Sequence, residues 1–242
     1  MTAPERRPGP ITLVHVVVPA HDEERFLGRA LEAITVASTR ARAEQPGLTV
    51  RTTVVLDSCT DGTAEVAAAH AVDLRVVDAG CVGAARHAGT LRVRDVCRGV
   101  PGEEVWVLCT DADSVVPETW VVDHLRLARS HDVVLGGARP DPGETPADHL
   151  AEWERRHRFP RRRVHGANLG FRLSTYLSSG GFEPLDEHED VRLVEAFDRL
   201  GAAIGVGTEV ITSSRHTGRT PGGFAGYMAR LAMETTRPGL AG

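Results

Sequence analysis

The chain has 242 residues, 41% of them hydrophobic and 25% charged, with a formal net charge of −5. This balance suits a globular protein with a real core. Mild acidity and 5% aromatic content exclude the basic, ring-rich surface that nucleic acids require.

Residues 1–10 are polar and Pro-rich and show no signal-peptide pattern, and no apolar run approaches a membrane span. A soluble cytoplasmic protein is therefore expected, with peripheral membrane contact left open. Residues 11–19 form a continuous apolar run and predict a buried strand. Residues 24–42 have helical spacing at Phe26, Leu27, Ala30, Leu31, Ile34 and Ala37, stopped by Gln45-Pro46-Gly47. Further strands are predicted at 50–56, 74–77, 104–109 and 133–136. Helices are predicted at 60–70, 84–96 and 117–130, with Thr60 or Asp61 able to cap the first of these. Strands separated by such helices predict an α/β fold whose mostly parallel sheet is covered on both faces. Residues 139–146 read as a loop. Beyond it the pattern loosens into a helix at 147–159, an extended stretch at 164–172, a helix at 187–200 and a strand at 203–212. A glycine-rich mobile segment is expected after Ser213, then a last helix at 224–234. Cys59, Cys81, Cys97 and Cys109 form no Cys-x-x-Cys pair, so neither a disulfide framework nor a zinc site is expected.

Chemistry concentrates at the predicted strand ends. Asp111-Ala112-Asp113 directly follows the apolar run 105–109, so two carboxylates stand at the sheet edge where open α/β folds bind ligands. Carboxylate oxygens suit Mg²⁺ or Mn²⁺, ions that share their shell with substrate phosphates. A solvated loop is the plainer alternative. Three more clusters should line the same crevice: residues 19–24 (PAHDEE), 57–63 (DSCTDGT) and 80–89 (GCVGAARHAG).

Taken in order, these segments resemble the family 2 glycosyltransferases and their GT-A nucleotide-sugar fold. The resemblance covers about residues 13–200. VVVPAHDEE resembles the family's first strand and Pro-x-x-Asn-Glu-Glu segment, with Asp22 where Asn is usual. VVLDSCTDGT resembles its second strand and turn. GCVGAARHAGT resembles its Ala-Arg-Asn segment, with His87 in place of Asn. CTDADS resembles its metal-binding Asp-x-Asp. GANLGFR, GGF and HEDVRL resemble the acceptor-side motifs and the Glu-Asp pair that carries the base. The implied architecture is a three-layer sandwich, a single domain over 1–242. Its nucleotide-sugar half would span about 11–138, its acceptor half about 139–213, and a C-terminal flexible segment and helix 214–242.

The resemblance implies a role for each matching residue. Pro19, His21, Glu23 and Asp57 would contact the nucleoside, with Asp22 beside them. The alternatives are helix-dipole compensation for the acidic pair and a cap for Asp57, although Asp61 is the preferred cap. Gly83, Arg86 and Gly89 open a helix and would receive a diphosphate; a Gly turn with a surface Arg is the alternative. Asp113 would be the metal ligand and Asp111 would contact ribose or a metal-bound water, with His216 a further ligand. Arg215 and His216 match the region that closes over the diphosphate, so 213–223 would be a lid. Asp190, or less favourably Glu189, would deprotonate the acceptor hydroxyl. Attack opposite the leaving diphosphate inverts the anomeric centre and needs no second carboxylate as nucleophile. Asn168, Gly166 and Gly181, with Gly170 and Gly180, would shape the sugar and acceptor pocket. Trp153 could stack on a sugar, though core packing is commoner. The Arg155–Arg163 cluster could meet an anion or a membrane, though a salt-bridged surface is preferred.

The expected activity is transfer of a hexose from a nucleoside diphosphate sugar to an acceptor hydroxyl, with inversion and a divalent metal, Mn²⁺ or Mg²⁺. A catalytically inactive nucleotide-sugar-binding protein is one alternative. A sugar-phosphate nucleotidyltransferase is another, disfavoured by the acidic residues 21–24 where a Gly-rich basic signature would be needed. The sequence leaves the base, the acceptor and the oligomeric state open.

Overall fold

The computed structural model describes residues 9–96, 98–158, 164–215 and 222–235. Among these, no helix is long and apolar enough to cross a membrane. The strands are β1 (Leu13–Ala20), β2 (Thr49–Asp57), β3 (Asp73–Val77), β4 (Val105–Cys109), β5 (Ser114–Val115), β6 (Val133–Pro140), β7 (Leu169–Arg172) and β8 (Ile204–Thr212). The α-helices are α1 (Leu27–Glu44), α2 (Thr63–Ala68), α3 (Val82–Val96), α4 (Trp120–Leu127), α5 (Ala147–His157), α6 (Leu173–Ser179), α7 (Glu189–Arg199) and α8 (Phe224–Thr235).

All strands join one sheet in the order β3-β2-β1-β4-β7-β6-β8-β5. All eight residues of β1 are buried, as a strand covered on both faces requires. Its side chains alternate between two cores. Val14, Val16 and Val18 pack with Leu27, Leu31 and Ile34 of α1 and with Trp120 of α4. Leu13 and Val17 pack with Ala85 and Val93 of α3, Tyr176 of α6 and Phe197 of α7. A third, small cluster joins Trp153 of α5 to Met228 and Leu231 of α8.

The sheet is mostly parallel, as predicted, with an antiparallel insertion that the strand-helix alternation did not reveal. β7 pairs antiparallel with both β4 and β6. Its first residue, Leu169, lies opposite Cys109, the last of β4. The turn before it, Gly166–Asn168, therefore sits beside the Asp111–Asp113 segment. Two short elements were also missed: β5, and α6 in a stretch with no clear period.

Two histidines are sealed inside the layers. His15 of β1 donates through Nε2 to the Gly89 carbonyl at 3.3 Å, and His124 of α4 lies 3.5 Å from Asn168 Oδ1. Burial lowers each from 6.5 to about 4. Both are neutral in the folded chain and take up protons on unfolding below pH 6.5. Stability is thus fully present above pH 6.5 and is lost as the pH falls toward 4. At pH 5.5 the two together cost about 3 kcal/mol. Replacing His15 or His124 by Gln should each remove about half of this acid penalty from the urea-midpoint profile between pH 7.5 and 5.5; a profile unchanged by either substitution would contradict the neutral, buried assignment.

Candidate active site

The parallel strands β1, β2 and β4 end at one edge of the sheet, and there a cleft of 730 Å³ opens, a size suited to a small-molecule ligand. Pro19, His21 and Glu23 line it after β1, Asp111 and Asp113 after β4, Gly166 ahead of β7, Glu189 and Asp190 at the start of α7, and Arg215 after β8. Residues far apart in the chain thus meet because the sheet delivers their loops to one edge.

Asp113 is held from two sides. Thr212 Oγ1 donates to its Oδ1 at 3.3 Å, and Arg215 Nη2 stands 3.0 Å from its Oδ2. Arg215 also grips Glu23 through two contacts of 2.5 and 2.9 Å, with its guanidinium 5.3 Å from the Phe26 ring centre. Burial, reinforced by the charge of Asp111, pushes Asp113 up to about 7 even though Arg215 opposes the shift. The desolvation outweighs the ion pair, so this pocket is short of positive charge.

Arg86 forms the second ion cluster. Its Nη2 pairs with Asp111 Oδ1 at 2.5 Å and its Nη1 with the Glu189 carboxylate. Burial opposes the charge on Arg86, but Asp111 and Glu189 override it and raise its pKa. Glu189 is itself pushed up by burial, against the pull of Arg86. Its neighbour Asp190 is held differently. Its Oδ2 accepts from the Gly166 N–H and its Oδ1 from the Val191 N–H, both at 2.7 Å.

Several predicted site residues are engaged by partners within the fold. Gly83 does not open the α3 terminus to an anion: a Cβ there would stand 2.2 Å from the Glu183 carbonyl, so the loop before α7 closes that terminus. Gly89 admits Val17 and Val55 of the sheet. Arg86, predicted to meet diphosphate, is engaged by two carboxylates. Glu189, the less favoured candidate base, is 4% exposed and locked to Arg86. Asp57 is fully buried. Its Oδ1 accepts from the Ala79 and Gly80 N–H groups and so holds the β3–α3 loop, while His21 Nδ1 donates to its carbonyl at 2.7 Å. Asp22 accepts from the Thr60 and Asp61 N–H groups. Asp61 accepts from the Thr63 N–H at 3.0 Å just ahead of α2, whose N-cap position is taken by Gly62.

Asn168 and Gly181, expected to shape the pocket, are not among the residues that line the cleft. Asn168 is fully buried. Its Oδ1 accepts from Trp120 Nε1 at 2.9 Å, and its Nδ2 donates at 2.8 Å to the carbonyls of Gly137 and Thr208. It fills the β6–β8 irregularity between Leu135 and Gly137, where the ladder leaves those carbonyls in need of a donor. Gly181, at φ +81°, packs under Tyr176 and His87, away from the cleft. His216 lies outside the described residues, as does the middle of the proposed lid. The lid's described flanks are tethered: Ser213 Oγ donates to Glu144 and the Gly222 N–H to Glu187. Trp153 is core, stacked on His157 at 4.0 Å. Arg155 and Arg156 bond Glu152, and Arg156 also Glu234, so that described part of the cluster is a salt-bridged surface.

The sequence did not reveal the far end of the cleft, where His157, Phe224 and Tyr227 line the wall. The apolar spacing of α8 was the available signal, but nothing in it told which face would meet the cleft.

The family model for glycosyl transferase family 2 matches residues 15–180. The chain belongs to glycosyltransferase family 2. No curated protein sequence matches it. Among solved structures, S. aureus TarS 1–349 in complex with UDP-GlcNAc is similar with a TM-score of 0.61 and 17% identity, over 91% of this chain and 66% of that one. The uncomplexed TarS 1–349 aligns with a TM-score of 0.60 and 16% identity over 84% of this chain, which spans 61% of its length. M. tuberculosis glucosyl-3-phosphoglycerate synthase with Mn²⁺, UDP and glucosyl-3-phosphoglycerate gives a TM-score of 0.54 and 17% identity, over 92% and 79% of the two chains. This family 2 chain therefore has the GT-A fold, a mixed α/β sandwich around a mostly parallel sheet.

Asn168→Ala tests the reassignment. It strands the buried Trp120 Nε1 and removes the donor of two carbonyls, so it should cost about 2 kcal/mol or more in chemical unfolding while the folded fraction keeps its nucleotide affinity. A loss of ligand affinity without loss of stability would return Asn168 to the pocket.

Proposed function

We propose that this family 2 chain transfers a hexose from a nucleoside diphosphate sugar to an acceptor hydroxyl, with inversion and with the help of a divalent metal. The observation that carries this reading is the division of labour among the cleft carboxylates. Glu23 and Glu189 are bound to arginines. Asp190 has no ion-pair partner among the described residues and is held by backbone N–H groups instead. In this reading it acts as the base.

In this reading Asp190 takes the proton of the acceptor hydroxyl as that oxygen bonds to the anomeric carbon. The anomeric bond to the diphosphate breaks on the opposite face, and the diphosphate leaves with the electron pair. A single displacement inverts the centre. A single displacement of this kind needs no carboxylate as nucleophile.

The residues present fit a divalent ion. Asp113 lies in a pocket short of positive charge, where an ion would favour its ionised form. Among the described residues no cluster of three acidic, His or Cys side chains could hold a metal. Mg²⁺-type sites often use one or two carboxylates and complete the shell with phosphate oxygens and water. Asp113, with Asp111 beside it, would hold such an ion, which supplies positive charge to the departing diphosphate. Pro19, His21 and Glu23 would form the nucleoside end, with Asp57 behind them. TarS is solved with UDP-GlcNAc and the mycobacterial synthase with UDP, so uridine nucleotides are the first donors to test.

Calorimetric titration with UDP, GDP and dTDP, with and without Mn²⁺, should show one nucleotide binding tightly only with the metal. Asp113→Asn should abolish that metal dependence; unchanged dependence would remove Asp113 from the ligand set. Asp190→Asn should keep binding and lose transfer by about 10²–10⁴-fold, and near-normal turnover would place the base elsewhere.

A further inference from the structure

Arg86 takes no part in the bond changes proposed above, yet three parts of the site meet at its guanidinium. It reaches from α3 to Asp111 at the donor edge and to Glu189 in the first turn of α7. The third part is the Gly166 turn, whose backbone lies directly on the guanidinium: a Cβ at Gly166 would stand 2.3 Å from Nη1 and 2.5 Å from Cζ. That same turn donates its N–H to Asp190 Oδ2 at 2.7 Å. We propose that Arg86 is a positioning residue that sets Asp190 against the donor edge, through Glu189 on one side and the Gly166 turn on the other. The inference rests on Asp190 being the base.

Two arguments favour positioning over simple stabilisation. A buried arginine with two carboxylates loses so much solvation that apolar substitutes are often as stable or more so. The fold also has other means of joining α3 to the approach of α7. The Gly83 N–H donates to the Leu185 carbonyl at 3.4 Å, and Gly83 itself packs against the Glu183 carbonyl. What those contacts lack is a link to Asp111 and to the turn that holds Asp190. A planar fork provides both, with one nitrogen for each carboxylate. Gly166 follows from the same geometry, since any side chain there would lift the turn from the guanidinium and carry its N–H away from Asp190.

Arg86→Lys keeps the charge but cannot span both carboxylates, and Gly166→Ala displaces the turn. Each should lower kcat by about 10–100-fold and leave the Kd of UDP with Mn²⁺ within about threefold. Should Arg86→Lys fold poorly, the pair Arg86→Gln/Glu189→Gln, which leaves only the half-exposed Asp111 without its partner, should fold and show the same fall in kcat. The deciding measurement is the double-mutant cycle with Asp190→Asn. If Arg86 acts through Asp190, adding Arg86→Lys to Asp190→Asn costs no further rate. Multiplicative losses, a kcat within twofold of the parent, or a loss confined to UDP affinity would each overturn the positioning role. Full activity of Asp190→Asn alone would instead sink the underlying reading of the base.

Discussion

Seven carboxylates line the cleft, five of them outside the loop that precedes α7, and among the described residues two guanidiniums form ion pairs within that five. Glu23, Asp111, Asp113, Glu189 and Asp190 all line the cleft, and Arg86 and Arg215 between them bridge four of the five. Burying carboxylates without compensation is costly, so this charge balance constrains everything around it. Each arginine ties together segments that the sheet alone would leave separate: Arg215 joins the chain after β8 to the loop after β1, and Arg86 joins α3 to α7. Asp113 shows that compensation is incomplete, because even with Arg215 at 3.0 Å its pKa is pushed up to about 7. A site in that state favours any further cation, and it separates the carboxylates that hold the structure from those left for chemistry.

Much of this was legible in the sequence, because the residues that carry it obey local rules. The apolar run of β1 and the period of α1 follow from burial on two faces and on one stripe. Asp111 and Asp113 follow a run too apolar to be anything but a buried strand, which fixes them at its end. What stayed hidden depends on non-local geometry. β7 is only four residues long, and nothing local states whether such a segment pairs parallel or antiparallel. Yet its antiparallel register with β4 is what sets Gly166 beside Asp111.

The motif residues taught a related lesson. A glycine-rich helix start reads as room for a ligand, but the space at Gly83, Gly89 and Gly166 is filled by a carbonyl, two valines and a guanidinium. Residue type shows which contacts a position permits; the partner is chosen by the packing. Asn168 has the donors and acceptors of a sugar-binding residue, but the irregular β6–β8 ladder takes the donors and Trp120 takes the acceptor. Arg86 has the charge to meet a phosphate, and two carboxylates reach it first.

The two ends of the cleft rest on very different foundations. The sheet edge stands on the long parallel strands and on both large cores, where local opening approaches the cost of global unfolding. The far wall, with His157, Phe224 and Tyr227, rests on α5 and α8 and on a cluster whose buried members are Trp153, Met228 and Leu231. So small a core gives that wall less resistance to rearrangement. Its shape can therefore be altered by substitution without disturbing the carboxylates at the sheet edge. Physical separation of a rigid charged edge from a lightly held aromatic wall allows one end to keep its chemistry while the other changes what it accommodates.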